Sequence, residues 1–263
     1  MAALTITILG ASPAAPNPGG ACSSYLLRQG ESSVLVDCGP GSAGRIPLHV
    51  PVNGLSAVTI SHLHPDHYLD LVQLYYMLRF GEPRPAELPR RVSLFVPPEG
   101  RDFFRRFGQF IAAKPAMLED MFEICEYAAG PTFDIGGLAV TFHPVQHYIP
   151  SHALRARGQD GATFVFSSDV APCPELVEAA READLFLCES ALFDPAQDEP
   201  DPTRRGHMSA GEAGSAATDA GVRRLLITHC RSGAGYDERH LSAARGAFSG
   251  PVDLAREGDT YTV

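Results

Sequence analysis

No stretch of the 263-residue sequence stays apolar and uncharged for the ~18 residues that a membrane span needs, so no membrane role is expected. Residues 1–10 lack the basic start of a secretion leader. Leu4, Ile6 and Ile8 alternate there instead, as in a first strand. The six cysteines, at 22, 38, 125, 173, 188 and 230, form no Cys-x-x-Cys pair and show no finger-like spacing. Cys38, Cys188 and Cys230 end or interrupt apolar runs, where reduced thiols sit, and with the missing leader this points to the cytoplasm. Positive charge is scarce: 21 Lys+Arg against 31 Asp+Glu leave a formal net charge of −10, which argues against a broad nucleic-acid-binding surface. A small anionic substrate stays open, because bound metal ions reverse the local field. Internal repeats and low-complexity tracts are also absent.

What is there reads as an ordinary globular enzyme. Hydrophobic residues make up 44% and charged residues 20%, and the length suits one domain over residues 1–263. Strand-like runs fall at 4–9, 24–28, 33–37, 57–61, 92–96, 138–142, 162–167, 184–188 and 225–228. Helical patterns lie at about 66–80, 99–112, 174–182, 209–220 and 236–247. Pro174 opens one of these helices, and Ser209 with Glu212 three residues later forms a capping box on another. Strands come first and helices arrive between later strands, which predicts a layered α/β protein. The Pro-rich stretches 82–89 and 194–203 read as surface loops.

Ten histidines are the most informative count, because several stand in pattern. The sharpest signal is Ser61-His62-Leu63-His64-Pro65-Asp66-His67. A strand ends here, and His62 and His64, two apart, point to one side. Pro65 then opens a helix whose first turn brings round Asp66 and His67. Imidazoles and one carboxylate are a donor set that suits zinc and similar metals, and this one turn could grip two ions from opposite sides.

The pattern resembles the metallo-β-lactamase superfamily, and residues along nearly the whole chain agree with it in order. The resemblance implies a four-layer αββα sandwich. His147, in Val145-Gln146-His147, matches the family's third histidine; His143 competes for that position and His152 more distantly, but the Val-x-His spacing favours His147. Asp169 at a strand end matches the bridging aspartate, and His229 after Leu226-Ile227-Thr228 matches the last histidine. By this resemblance one metal takes His62, His64 and His147, the other takes Asp66, His67 and His229, and Asp169 bridges them. Two divalent ions are implied, zinc first and manganese as the alternative.

Two further segments resemble ribonuclease Z-like enzymes. Cys188-Glu189-Ser190-Ala191 is similar to their His-Glu-Ala-Thr segment, and Gly206-His207-Met208-Ser209 to their His-Ser-Thr segment. Glu189 and His207 would then form a carboxylate–histidine pair that, with Asp66, carries the chemistry. The departure at Cys188 puts the local hydrogen bonding in question. Gly39-Pro40-Gly41-Ser42-Ala43-Gly44 also spells Gly-x-Gly-x-x-Gly after a strand, the mark of a dinucleotide site. The acidic residue that such a site needs after the next strand is missing. In the resembled superfamily Asp37 would instead support a metal-bound histidine.

The implied reaction is metal-assisted hydrolysis of a phosphodiester. Transfer-RNA 3′ processing is one expectation, but the segment from His147 to Asp169 is too short for the family's tRNA-gripping arm. The family's basic segment after the first strand is replaced by Pro16-Asn17-Pro18-Gly19-Gly20-Ala21, without positive charge. A small phosphodiester is therefore the expected substrate, and tRNA is not expected as a partner. From Phe164 to His229 the chain also resembles short-form relatives that hydrolyse cyclic nucleotides, and this resemblance implies a cyclic-nucleotide phosphodiesterase. A thioesterase or lactonase shares the same site. A di-iron redox protein would usually carry Glu in place of His64, and a non-catalytic module would lose Glu189 and His207. The oligomeric state is open, a homodimer included.

Overall fold

The computed structural model describes residues 2–81, 91–195, 199, 201 and 203–263. Two seven-stranded sheets lie face to face, each half antiparallel and half parallel. The first is ordered β14-β1-β2-β3-β4-β5-β6 and contains β1 (Thr5–Gly10), β2 (Ser24–Gln29), β3 (Ser32–Val36), β4 (Ala57–Thr59), β5 (Val92–Val96), β6 (Phe122–Glu126) and β14 (Thr260–Thr262). The second is ordered β13-β12-β11-β10-β9-β8-β7, from β7 (Thr132–Ile135), β8 (Leu138–Val145), β9 (Ser151–Arg157), β10 (Thr163–Phe166), β11 (Leu185–Glu189), β12 (Leu225–Thr228) and β13 (Val252–Leu254). Strands β3 to β6 run parallel, as do β10 to β13.

Strand alternation sorts the side chains into three apolar layers. Ile6, Ile8, Tyr25, Leu27, Val34 and Val36 face Phe142, Phe164, Phe166 and Leu187 between the sheets. Their neighbours Leu26, Leu35 and Val58 point outward, beneath α1 (Pro65–Tyr68), α2 (Leu71–Phe80) and α3 (Gly100–Ala112). On the far side Val165, Phe186, Cys188 and Ile227 meet α4 (Pro174–Ala180), α5 (Ala210–Ala220) and α6 (Asp237–Ala247). Strands covered on both faces carry apolar residues at consecutive positions, as β11 does in Leu185-Phe186-Leu187. The result is the four-layer αββα sandwich.

The helices follow from short-range pattern. In α2, Leu71, Leu74, Tyr75 and Leu78 recur at helical spacing and are buried against the first sheet. In α5 the buried face is alanine and glycine, which lets α6 approach closely; a Cβ at Gly214 would lie 2.6 Å from the Ala244 carbonyl. The expected capping box is present: Ser209 Oγ accepts from the Glu212 amide, and Glu212 Oε2 accepts from the Ser209 amide.

Several boundaries differ from the sequence expectation. The helix expected over 66–80 is two, because Leu69 and Asp70 turn the chain between α1 and α2. Asp70 uses that turn to tie down the glycine segment, accepting from the Ala43 amide at 2.9 Å. Strands expected over 33–37 and 57–61 stop at Val36 and Thr59, leaving Asp37 and Ser61 in the loops beyond. Strands β6, β7, β9, β13 and β14 were not expected, since they are short, edge-lying or rich in charge. The Pro-rich stretch 82–89 lies outside the described residues, as does part of 194–203.

Candidate metal centre

The ends of the parallel strands gather on one rim of the sandwich, and there the sequence's histidines and carboxylates converge. His62 follows β4, His147 follows β8, Asp169 follows β10, Glu189 ends β11 and His229 follows β12. The turns after β10 and β12 use left-handed backbone at the non-glycine residues Ser168 (φ 58°) and His229 (φ 49°), as does the loop after β3 at Asp37 (φ 58°). Such residues are uncommon and costly, by roughly 1–3 kcal/mol each, and they cluster at functional sites.

Two donor groups form. His62, His64, His147 and Asp169 make the first, and Asp66, His67, Asp169 and His229 the second, with the donor atoms of each within 4.8 Å of one another. In the first, His64 Nδ1 lies 3.1 Å from His62 Nε2 and 3.0 Å from His147 Nε2. Asp169 Oδ2 stands 3.8 Å from His62 Nε2 and 4.0 Å from His147 Nε2. In the second, His67 Nε2 is 3.2 Å from Asp169 Oδ1 and 3.5 Å from Asp66 Oδ2. His229 Nε2 is 3.4 Å from Asp169 Oδ2 and 3.9 Å from Asp66 Oδ2. Asp169 belongs to both groups. All seven residues singled out as ligands in the sequence are therefore brought together.

The sequence profile described as the β-lactamase superfamily domain matches residues 32–230, which span both groups. The chain belongs to this superfamily. An uncharacterised protein of Mycobacterium leprae is 33% identical over 98% of this chain and 88% of its own length. A ribonuclease Z of Mycobacterium bovis is 31% identical over 97% of this chain and 96% of that protein. Among solved structures, the metallo-β-lactamase fold protein YhfI from Bacillus subtilis superposes with a TM-score of 0.83, at 24% identity, over 98% of this chain and 99% of that one. The fold is the metallo-β-lactamase sandwich. Superfamily membership and the ribonuclease Z relatives support a hydrolase.

The donor set fits divalent cations on three counts. Each imidazole that offers Nε2 has its other nitrogen engaged: His67 Nδ1 with Asp37 at 2.7 Å, His147 Nδ1 with the Gly206 carbonyl at 2.5 Å, His229 Nδ1 with Ser23 Oγ at 3.0 Å. His62 Nδ1 meets Ser61 Oγ at 3.1 Å and Ser168 Oγ at 3.3 Å. Such partners orient a ligating ring and set its tautomer. Secondly, Asp66 Oδ2, His67 Nε2 and Asp169 Oδ1 are buried without a hydrogen-bond partner, a cost that a cation would remove. Thirdly, burial lowers the pKa of His62 well below the ordinary value and that of His147 to about 4, which favours the neutral ring a metal binds; at His67 burial acts the same way, but Asp169 and Asp37 outweigh it and raise the pKa well above the ordinary value. The carboxylates Asp37, Asp66 and Asp169 are all buried as well, and they concentrate negative charge that cations would offset.

Beside both groups stands the Glu189–His207 pair. Glu189 is fully buried; Oε1 accepts from the Val170 amide and from His207 Nδ1, both at 2.8 Å, and Oε2 accepts from the Ala191 amide at 2.9 Å. Burial works against a charged His207, but the Glu189 carboxylate outweighs it and pushes the pKa up to about 9. The His207 ring lies 4.9 Å from His147 and 5.9 Å from His229. Cys188, the departure from the ribonuclease Z-like segment, points the other way, 3.5 Å from Met208 Sδ within the helix-side core. It leaves the bonds of Glu189 intact.

Of the competing histidines, His143 and His152 join neither group, and His152 packs edge-on to Tyr127 at 5.2 Å. The glycine turn is no dinucleotide cradle: a Cβ at Gly39 would lie 2.1 Å from the Asp66 carbonyl, so glycine lets this turn seat the ligand-bearing helix. Sequence reasoning missed Ser23, Ser168 and Gly206, which act on the histidines from far along the chain. It also missed Arg205, buried and paired with Glu212 at 2.6 Å, which anchors the segment carrying Gly206 and His207 to α5. An arginine shortly before the Ser209 capping box is the signal the sequence offers.

Proposed function

We propose that the protein is a dinuclear metal-dependent phosphodiesterase that cleaves a small phosphodiester such as a cyclic nucleotide. The observation that carries this reading is the pair of donor groups sharing Asp169, with His207, paired to the Glu189 carboxylate, beside them. His62, His64 and His147 would hold one ion, Asp66, His67 and His229 the other, and Asp169 both; zinc suits this donor set first and manganese second. Ions held there would supply Lewis acidity to the phosphoryl oxygens and a nucleophile from water ionised near neutral pH.

The chain's own groups account for the rest of the reaction. Asp37, Ser23 and the Gly206 carbonyl hold the imidazoles in orientation. Glu189, held by two backbone amides, keeps the proton on His207. As the P–O bond to the leaving group breaks, His207 donates the proton of its other ring nitrogen, Nε2, to the departing oxygen, a step typically worth ~10²–10⁴-fold.

Substrate size is argued from what surrounds the rim. Between His147 and Asp169 the chain forms only β9 and β10, so no long arm projects there. The net charge of −10 repels a polyanion, whereas a cyclic nucleotide carries a single negative charge. The second reading, a ribonuclease Z-type tRNA 3′ endonuclease, is favoured by the 31% identity to a ribonuclease Z over 97% of this chain. Turnover of bis-p-nitrophenyl phosphate, cyclic AMP, precursor tRNA and a lactone by metal-loaded protein separates these readings. Phosphodiester turnover confined to the small substrates supports the proposal, while turnover of the lactone alone would assign the site to acyl chemistry.

A further inference from the structure

Of the large apolar side chains left exposed among the described residues, Tyr148 is the one in ring contact with the centre. It is 55% exposed, directly follows the ligand candidate His147, and lies 5.1 Å from that ring and 5.7 Å from His207. Its position is braced by backbone. A Cβ at Gly206 would fall 2.4, 2.5 and 2.8 Å from three of its ring atoms, so the tyrosine ring rests against the bare Gly206 main chain. The Gly206 carbonyl in turn orients His147, and the Arg205–Glu212 pair anchors this segment. A large, half-exposed aromatic held in this way loses little conformational entropy when it binds a second ring.

We propose that Tyr148 is the stacking platform for the nucleobase of the substrate. The proposal deepens the phosphodiesterase reading and rests on it: while the phosphodiester sits among the donor groups and His207, the base attached to it lies on the tyrosine. Stacking of a base on an aromatic side chain is worth about 1–3 kcal/mol by alanine substitution and tolerates every base, because each has a π-face. At ~1.4 kcal/mol per factor of ten, this is roughly a 5- to 100-fold effect on affinity. Purines, with the larger face, should be preferred over pyrimidines, and no single base should be required.

Two experiments test the platform. In the first, Tyr148→Ala raises KM for cyclic AMP by about tenfold and leaves kcat within about twofold, while Tyr148→Phe behaves as the parent protein. On ribose 3′,5′-cyclic phosphate, which has no base, Tyr148→Ala changes nothing. Equal losses on both substrates, no loss on either, or a Phe variant as impaired as the Ala variant would each overturn stacking. The second experiment does not depend on turnover. The chain has no tryptophan, so Tyr148→Trp introduces a single indole whose emission reports on the position. AMP should quench it and ribose 5-phosphate should not. Quenching without hydrolysis of cyclic AMP by the parent protein would keep the base platform and discard the proposed reaction. Hydrolysis without quenching, and with KM unchanged in Tyr148→Ala, would do the reverse.

Discussion

Asp37 Oδ2 lies 2.7 Å from His67 Nδ1, and the same carboxylate accepts from the Ser61 amide at 2.7 Å and from Ser61 Oγ at 2.8 Å. One buried residue in the loop after β3 thus orients a histidine on α1 and secures the residue before His62. It does so from a left-handed backbone conformation.

Asp37→Asn should therefore weaken metal binding without unfolding the chain, because asparagine tolerates left-handed backbone. Loss of such a supporting partner typically costs 10- to 100-fold in metal affinity or activity. Competition against a chelator of known affinity reads this directly. Unchanged retention of both ions would remove Asp37 from the account of the centre.

Protein purified without chelator should contain two divalent ions per chain by elemental analysis. His67→Ala should lose one of them. Asp169→Ala should loosen both, since Asp169 stands in both donor groups. Full activity with a single ion, or with none, would contradict the dinuclear reading.

His207→Ala should keep both ions and lose about 10²–10⁴ in turnover on a substrate with a poor leaving group. The loss should be much smaller with p-nitrophenolate, which departs without needing a proton. Equal losses on both would make His207 a phosphate-binding group, and unchanged rates on both a surface histidine.

A pH dependence of stability follows from His240, which is buried on α6 with Nδ1 2.9 Å from Ser190 Oγ. Burial lowers its pKa from 6.5 to about 4; the Arg231 carbonyl and Asp237 oppose that shift, and Arg239 adds to it. In the folded protein the ring stays neutral, while the unfolded chain takes up a proton below pH 6.5. Its contribution to stability is therefore present above pH 6.5 and lost as pH falls towards 4. The thermal midpoint of the parent protein should fall more steeply between pH 7 and pH 5 than that of His240→Gln. Parallel curves would show that His240 does not titrate in this way.

The converging residues were legible in sequence for a local reason. His62, His64, Asp66 and His67 share one strand-end turn, and Asp169 and His229 each follow an apolar run that could only be a strand. The layers were legible from alternation and helical spacing. Ser23 was not, because it reaches His229 across 206 positions of sequence and carries no pattern of its own. Gly206 acts through its carbonyl, which every residue has. Strand β9 was hidden by Arg155 and Arg157, which alternate with Leu154 and Ala156 of the inter-sheet core; Arg155 instead donates to the Ala179 and Arg181 carbonyls beside α4. The break between α1 and α2 was hidden because Asp70, the residue before α2, serves a tertiary contact, accepting from the Ala43 amide.

The central claim is that a small phosphodiester, not a tRNA, is the substrate. Its most direct test is release of AMP from cyclic AMP by metal-loaded protein at low salt, where screening is weak, with precursor tRNA present as competitor. The account predicts that AMP forms at a rate the tRNA barely lowers, and that the tRNA keeps its 3′ trailer. Absence of AMP would contradict it, and strong inhibition by tRNA together with efficient 3′ trimming would put the ribonuclease Z reading in its place.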